Sequence, residues 1–182
     1  MSRVFGMRQI ESNPFRCLLV EDDDDHALLL TGALSACRED VSVERVHDGV
    51  VALARLRQSL AVKMNPLPQL VILDIRLPHM DGHALLREIK SDPILRTIPV
   101  VVLSTSAAEV DRARAYGHHA NSYLVKPMDP SGFDRLAEAL IQYWCGWNLS
   151  VAREGDGVGV SFGYGHKGGH DDDRPTEYDP VD

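Results

Sequence analysis

The feature that most narrows the possible folds of this chain is a rhythm of short apolar runs, each ending in polar residues, alternating with longer amphipathic stretches. The runs Cys17–Val20, Leu70–Leu73, Val100–Leu103 and Ser122–Val125 are short, mostly apolar and rich in β-branched residues. That is the composition of strands covered by helices on both faces. Val41–Val46 instead alternates and carries Glu44 and Arg45, which predicts a strand at a sheet edge. Between the runs, Leu30, Ala33, Leu34 and Cys37 follow an i, i+3, i+4, i+7 spacing, and Leu53, Leu56 and Leu60, then Leu85, Leu86 and Ile89, repeat it more loosely. Phe133, Leu136, Ala137, Leu140, Ile141 and Trp144 form the clearest stripe. Five such strand–helix repeats predict an α/β domain around a parallel sheet.

A length of 182 residues, 44% of them hydrophobic, favours one domain and a tail. We divide the chain into an N-terminal extension (1–14), a domain (15–153) and a tail (154–182). Within the domain, Trp147, Leu149 and Val151 alternate with Asn148 and Ser150 as a short extended segment with one apolar side. The tail is predicted disordered, because seven of the 14 glycines fall within residues 155–169 ahead of an Asp-rich end. Residues 151–182 hold three basic against eight acidic side chains, so −5 of the net charge of −8 lies there. An acidic chain without clustered Lys and Arg argues against a nucleic-acid partner. No apolar run approaches the ~20 residues of a membrane span, and the N-terminus lacks the apolar core of a secretion signal, which predicts a cytoplasmic protein. Cys17, Cys37 and Cys145 form no C-x-x-C pair and read as reduced, buried thiols.

In an open parallel sheet the functional loops gather beyond the carboxyl ends of the strands. Here those positions hold Glu21 to Asp25 after the first run, Asp74 after the third, Ser104 to Ser106 after the fourth and Lys126-Pro127 after the fifth. Converging carboxylates repel one another unless a cation neutralises them. Magnesium takes hard oxygen ligands and keeps waters that a phosphate can replace, so it suits a site that receives a phosphoryl group. Asp74 is then the nucleophile, and the Lys126 ammonium and Ser104 hydroxyl stabilise the transferring oxygens. The plainer alternative for acidic residues after a strand is helix capping, and Asp25 is the expected cap. Asp81-Gly82 after Pro78 reads most simply as a turn into a helix.

These residues resemble a known family, the receiver domains of bacterial response regulators. The segment Val71–Gly82 is similar to that family's phosphorylation loop, with the acceptor aspartate four residues before a proline and eight before a glycine. Leu19-Val20-Glu21-Asp22 resembles its acidic pair and Tyr123-Leu124-Val125-Lys126-Pro127 its lysine–proline loop. The resemblance covers about residues 15–151. It implies a flavodoxin-like (βα)5 doubly wound sheet in the order 2-1-3-4-5. It also implies a stand-alone response regulator, a phosphoacceptor and not an enzyme acting on a separate substrate. Asp74 would take phosphate from a sensor histidine kinase, with Glu21, Asp22, Asp74 and the backbone carbonyl of Arg76 around Mg2+. Ser104 and Tyr123 would form the switch that alters the face built from the fourth helix, fifth strand and fifth helix, and Lys126-Pro127 would be a cis peptide.

A narrower likeness, in Pro99–Ser106, Asn121–Met128 and Ile141–Trp144, is to the single-domain regulators that partner phytochrome-type photoreceptor kinases. It implies a bacteriophytochrome-type kinase, a possible intermediary phosphotransfer protein and a homodimer through Trp144, Trp147, Leu149 and Val151. Trp147, Leu149 and Val151 could instead fold back on their own domain. His119 stands where the family has glycine before Ala120, which predicts a changed turn. Three other readings compete. A constitutive dimeric module would not depend on phosphorylation. An aspartate-nucleophile hydrolase would want a second Asp where Arg76 stands, and a flavin-binding flavodoxin would not tolerate so acidic a first loop.

Overall fold

The computed structural model describes residues 14–62 and 66–148. Leu149, Val151 and the tail beyond residue 153 lie outside them, as does most of the N-terminal extension. In chain order the elements are β1 (Phe15–Val20), α1 (Asp24–Cys37), β2 (Val41–Val46), α2 (Gly49–Ala61), β3 (Leu70–Leu73), α3 (Gly82–Ser91), a 3₁₀ turn (Leu95–Thr97), β4 (Val100–Ser104), α4 (Glu109–Gly117), β5 (Ser122–Val125) and α5 (Pro130–Ile141). A π-helical turn, Gln142–Trp147, continues α5.

All pairings are parallel and the strand order is β2-β1-β3-β4-β5. The predicted doubly wound order is therefore observed. Strand side chains alternate between faces, so one set of apolar runs fills two cores. Leu18, Val20, Val71, Leu73, Val100 and Val102 pack with α2 and α3, whereas Cys17, Leu19, Leu70, Ile72, Val101 and Leu103 pack with α1 and α5. This double coverage explains why β1, β3 and β4 read as nearly continuous apolar runs. β2 sits at the expected edge. β5 forms the other edge, and Val125 is half exposed, contrary to the expectation that its apolar run is covered on both faces.

Four of the five helices begin at an aspartate whose side chain accepts a backbone N–H, Asp23, Asp48, Asp81 and Asp129. The cap of α1 is thus Asp23, not Asp25, because Asp23 keeps an extended backbone while its Oδ1 accepts the His26 N–H at 2.8 Å. α4 is the exception: Ala108 precedes it with no side-chain cap, and Ala115 is its only buried residue. Its far end closes with His119 at φ 63°, where the Ala120 N–H reaches Ala115 O and the His119 N–H reaches Tyr116 O. That is the paired-bond helix stop that usually carries glycine at the left-handed position. The turn keeps the glycine conformation even though the residue is His. Two further expectations change. Cys37, at the last position of α1, is exposed and Cys145 partly so, leaving Cys17 as the buried thiol. Trp147 belongs to the π-helical turn and not to an extended segment.

Candidate functional site

The parallel order makes β1 and β3 neighbours, with Val20 level with Leu73. The residues that follow them therefore leave the sheet side by side. Asp74 N–H donates to Val20 O at 2.9 Å, which fixes Asp74 beside the Glu21-Asp22 pair. One carboxylate oxygen from each of Glu21, Asp22 and Asp74 lies within 4.8 Å of the others. Glu21 and Asp74 are buried and Asp22 is exposed, so the cluster opens to solvent through Asp22.

β5 delivers Lys126 into the same place. Its Nζ lies 2.6 Å from Glu21 Oε2 and 2.6 Å from Asp74 Oδ2, with its side chain only 2% exposed. The Asp74 Oδ1 accepts the Arg76 N–H at 3.1 Å, so both carboxylate oxygens are held. Burial pushes the Glu21 carboxyl above its ordinary value, against the pull of the Lys126 ammonium. A cluster of hard oxygens, two of its three carboxylates buried, carrying more negative than positive charge fits a divalent cation of the magnesium or manganese type.

The Lys126–Pro127 peptide is trans, in contrast to the implied cis form. Trans is the intrinsically preferred isomer, and in it the lysine already reaches both carboxylates. Pro127 still shapes the loop, because a Cβ at Gly132 would come within 2.4 Å of Pro127 Cβ. Gly82 has a stronger reason to be glycine: a Cβ there would lie 2.2 Å from Asp74 O and 2.6 Å from Ile75 Cα. The start of α3 thus presses directly on the backbone of Asp74, so Asp81-Gly82 is a turn into a helix that also seats Asp74.

Ser104 ends β4 fully buried, and its Oγ accepts the Ser106 N–H at 3.2 Å. Among the described hydrogen bonds it makes none to Asp74. Tyr123 is partly buried, and its hydroxyl donates to Ser106 O at 2.8 Å, tying β5 to the loop before α4. Trp144 packs on the α1–α5 side of the core and makes an edge contact with Tyr143, while Trp147 and Tyr143 are exposed.

Three participants escaped the sequence reading. Arg45, at the end of β2, donates to the carbonyls of Glu21 and Asp22, each at 3.1 Å, and pairs with Asp24 at 2.7 Å, so it braces the acidic loop. His79, in the left-handed region at φ 61°, contacts Asp48 and links the loop after β3 to the start of α2. His26 lies 3.3 Å from Lys126 Nζ through its Nδ1. With Asp23 as cap, His26 is the third residue of the helix, the position whose backbone faces the cap, a placement that the expected Asp25 cap concealed.

Residues 17–139 match the family model described as the response regulator receiver domain. The probable methanogenesis regulatory protein FilR2 of Methanothrix harundinacea is 44% identical over 138 residues, covering 76% of this chain and 88% of that protein. The response regulator Rcp1 of Synechocystis is 37% identical over 135 residues, covering 74% and 92% respectively. Its Mn2+-bound crystal structure superposes with a TM-score of 0.70, over 76% of this chain and all of the other, at 34% identity. The phosphorylated cyanobacterial phytochrome response regulator RcpA superposes equally well, TM-score 0.70 at 37% identity, over 75% of this chain and 97% of RcpA.

Proposed function

Because the chain belongs to the receiver-domain family of response regulators, we propose that it works in a two-component phosphorelay, with Asp74 accepting a phosphoryl group from a phosphohistidine of a sensor kinase. The observation that carries this is the Lys126 ammonium held 2.6 Å from both Glu21 and Asp74 in the buried part of an acidic cluster. In the transfer, an Asp74 carboxylate oxygen bonds to phosphorus as the phosphorus–nitrogen bond to histidine breaks, and the histidine nitrogen keeps that electron pair. Such a transfer demands positioning and charge stabilisation more than covalent chemistry from the protein. Lys126 supplies fixed positive charge, and the Arg76 N–H holds one Asp74 oxygen in place. Mg2+, held by Glu21, Asp22, Asp74 and the Arg76 carbonyl, would add positive charge at the phosphoryl oxygens when bound. The chain is accordingly a phosphoacceptor module, not an enzyme acting on a separate substrate.

Ser104 and Tyr123 are the proposed switch. The support is that Tyr123 anchors the loop entering α4, the one α-helix among the described residues with no side-chain N-cap and a single buried residue. A helix so lightly tied is the element that a change at Ser104 can displace. The name of RcpA, a cyanobacterial phytochrome response regulator, favours a phytochrome-type kinase as donor, directly or through a phosphotransfer protein. FilR2, named for methanogenesis, favours a different input, and a phosphotransfer panel of purified kinases separates the two.

Wild type and Asp74→Asn, incubated with acetyl phosphate and Mg2+, test the central step. Labelling of the wild type alone is expected, and equal labelling of both would overturn it. The exposed Trp147 and Tyr143 favour, as a further part of this proposal, a homodimer through the end of α5 together with Trp144, Leu149 and Val151. Trp147→Asp is expected to give a monomer in sedimentation. If dimerisation and partner binding are then unchanged by phosphorylation of the wild type, the constitutive module is the better reading.

A further inference from the structure

Lys126 has three N–H bonds and no acceptor. Its side chain is almost wholly buried, so each N–H has to find a partner or remain an unsatisfied donor. Glu21 and Asp74 take two of them. The third has His26 Nδ1 within reach, 3.3 Å from Lys126 Nζ.

His26 is itself held from two directions. Its backbone N–H is bound by the Asp23 carboxylate at 2.8 Å, and its ring stacks on Phe133 of α5 with centroids 5.9 Å apart and planes 26° apart. The same Nδ1 also lies 3.5 Å from Asp23 Oδ1 and 3.8 Å from Glu21 Oε1. Both are longer than the contact with Lys126. Asp23 Oδ1 is already served by the His26 N–H, and Glu21 by the Lys126 ammonium itself, so neither carboxylate needs this nitrogen. Glu21 presents both of its oxygens to the lysine, Oε1 at 2.8 Å and Oε2 at 2.6 Å, close enough together that one N–H serves the pair; beyond these, Asp74 Oδ2 and His26 Nδ1, the lysine has no other acceptor among the described residues. A ring nitrogen accepts only through its lone pair, which places the imidazole proton on Nε2.

We propose that His26 is a positioning residue for Lys126: by accepting the third N–H it keeps the ammonium turned toward Glu21 and Asp74, and so sets the rate at which Asp74 accepts a phosphoryl group. The inference rests on Asp74 being the acceptor. Without this tether an N–H of Lys126 would compete for water at the partly exposed rim of the site, and the ammonium would spend less time aligned with the transferring group. Misalignment of a stabilising charge slows the chemical step while leaving donor binding largely intact.

The two features of the imidazole, its acceptor and its flat ring, can be separated. His26→Phe keeps a ring against Phe133 and removes the acceptor. His26→Asn places Oδ1 near the position of Nδ1 and removes the ring. With acetyl phosphate and Mg2+, the maximal rate of Asp74 labelling is expected to fall about tenfold in His26→Phe, the equivalent of one hydrogen bond to a charged group, with little change in KM. His26→Asn is expected to restore most of that loss. In a Lys126→Ala background, His26→Phe should have no further effect, because the group it positions is gone. Wild-type rates in the Phe variant with impairment in the Asn variant would assign His26 to ring packing and overturn the proposal. So would an equal slowing by His26→Phe with and without Lys126. An unlabelled wild type, or full labelling of Asp74→Asn, would instead remove the acceptor reading itself and this inference with it.

Discussion

Two places in this fold bury polar groups, and they do so on opposite terms. At the carboxyl edge of the sheet, Glu21, Asp74 and Lys126 are all buried and all partnered, each ionic group facing another at 2.6 to 2.8 Å. At the seam between α3 and α4, His83 is 3% exposed and neither of its ring nitrogens has a hydrogen-bond partner. Its nearest ring is that of His118, 6.2 Å away and edge-on. The difference is one of charge. A buried ion without a partner is too costly to keep, whereas an imidazole can remain neutral and lose only its hydrogen bonds. Burial, aided by the Arg114 guanidinium, lowers the tendency of His83 to take a proton, against the opposing pull of Asp81 and Asp111. The first region keeps its charges by pairing them; in the second, burial disfavours the charged form of His83.

The comparison breaks most visibly at Lys126. Lys126→Met, in the absence of divalent metal, leaves two buried carboxylates without a counter-charge and should cost about 3 to 5 kcal/mol in urea unfolding. A second replacement, Asp74→Asn, should recover part of that loss. No loss in the single variant would mean that solvent already neutralises the site. Gly82→Ala comes next, because the added methyl meets the backbone of Asp74 and Ile75. Overpacking of this kind costs about 1 to 3 kcal/mol, and the labelling rate should fall with it because the acceptor shifts.

His83→Leu sharpens the other side. The folded pKa of His83 lies below its ordinary value of 6.5, so the unfolded chain binds the proton more readily and stability is lost as pH falls below that value. Thermal melts between pH 7.5 and 5 should show a shallower acid loss in His83→Leu than in wild type; identical slopes would mean that His83 is not a source of the acid sensitivity. The smallest effect is expected at the end of α4. His119 holds a left-handed backbone that glycine adopts without penalty, so His119→Gly should stabilise the domain by about 1 kcal/mol and leave Asp74 labelling unchanged.

Much of this was legible in the residue order. Continuous apolar runs marked β1, β3 and β4 because those strands are covered twice, and the polar residue after each run marked the site because parallel strands all point their carboxyl ends one way. Asp22, Asp74 and Lys126 are therefore grouped by residue order alone. Less legible were the contacts that depend on rotation of a side chain and not on its place in a pattern. His26 stood in an acidic loop that looked like a capping signal, and nothing local distinguished Asp23 from Asp25 as the cap. Arg45 sat on an edge strand where a charged residue needs no explanation. Cys37 continued an apolar helical spacing, yet it ends α1 on the exposed surface.

By itself the sequence determined the alternation of strands and helices and the gathering of Glu21, Asp22, Asp74 and Lys126 beyond one edge of the sheet, because each follows from periodicity and from the place of a polar residue after an apolar run. Only the tertiary structure decided that His26 meets the Lys126 ammonium, that Lys126-Pro127 is trans, and that His83 is buried without a partner. Those outcomes depend on the distances between elements far apart in the chain, and such distances are set by how the two cores pack and not by any local run of residues.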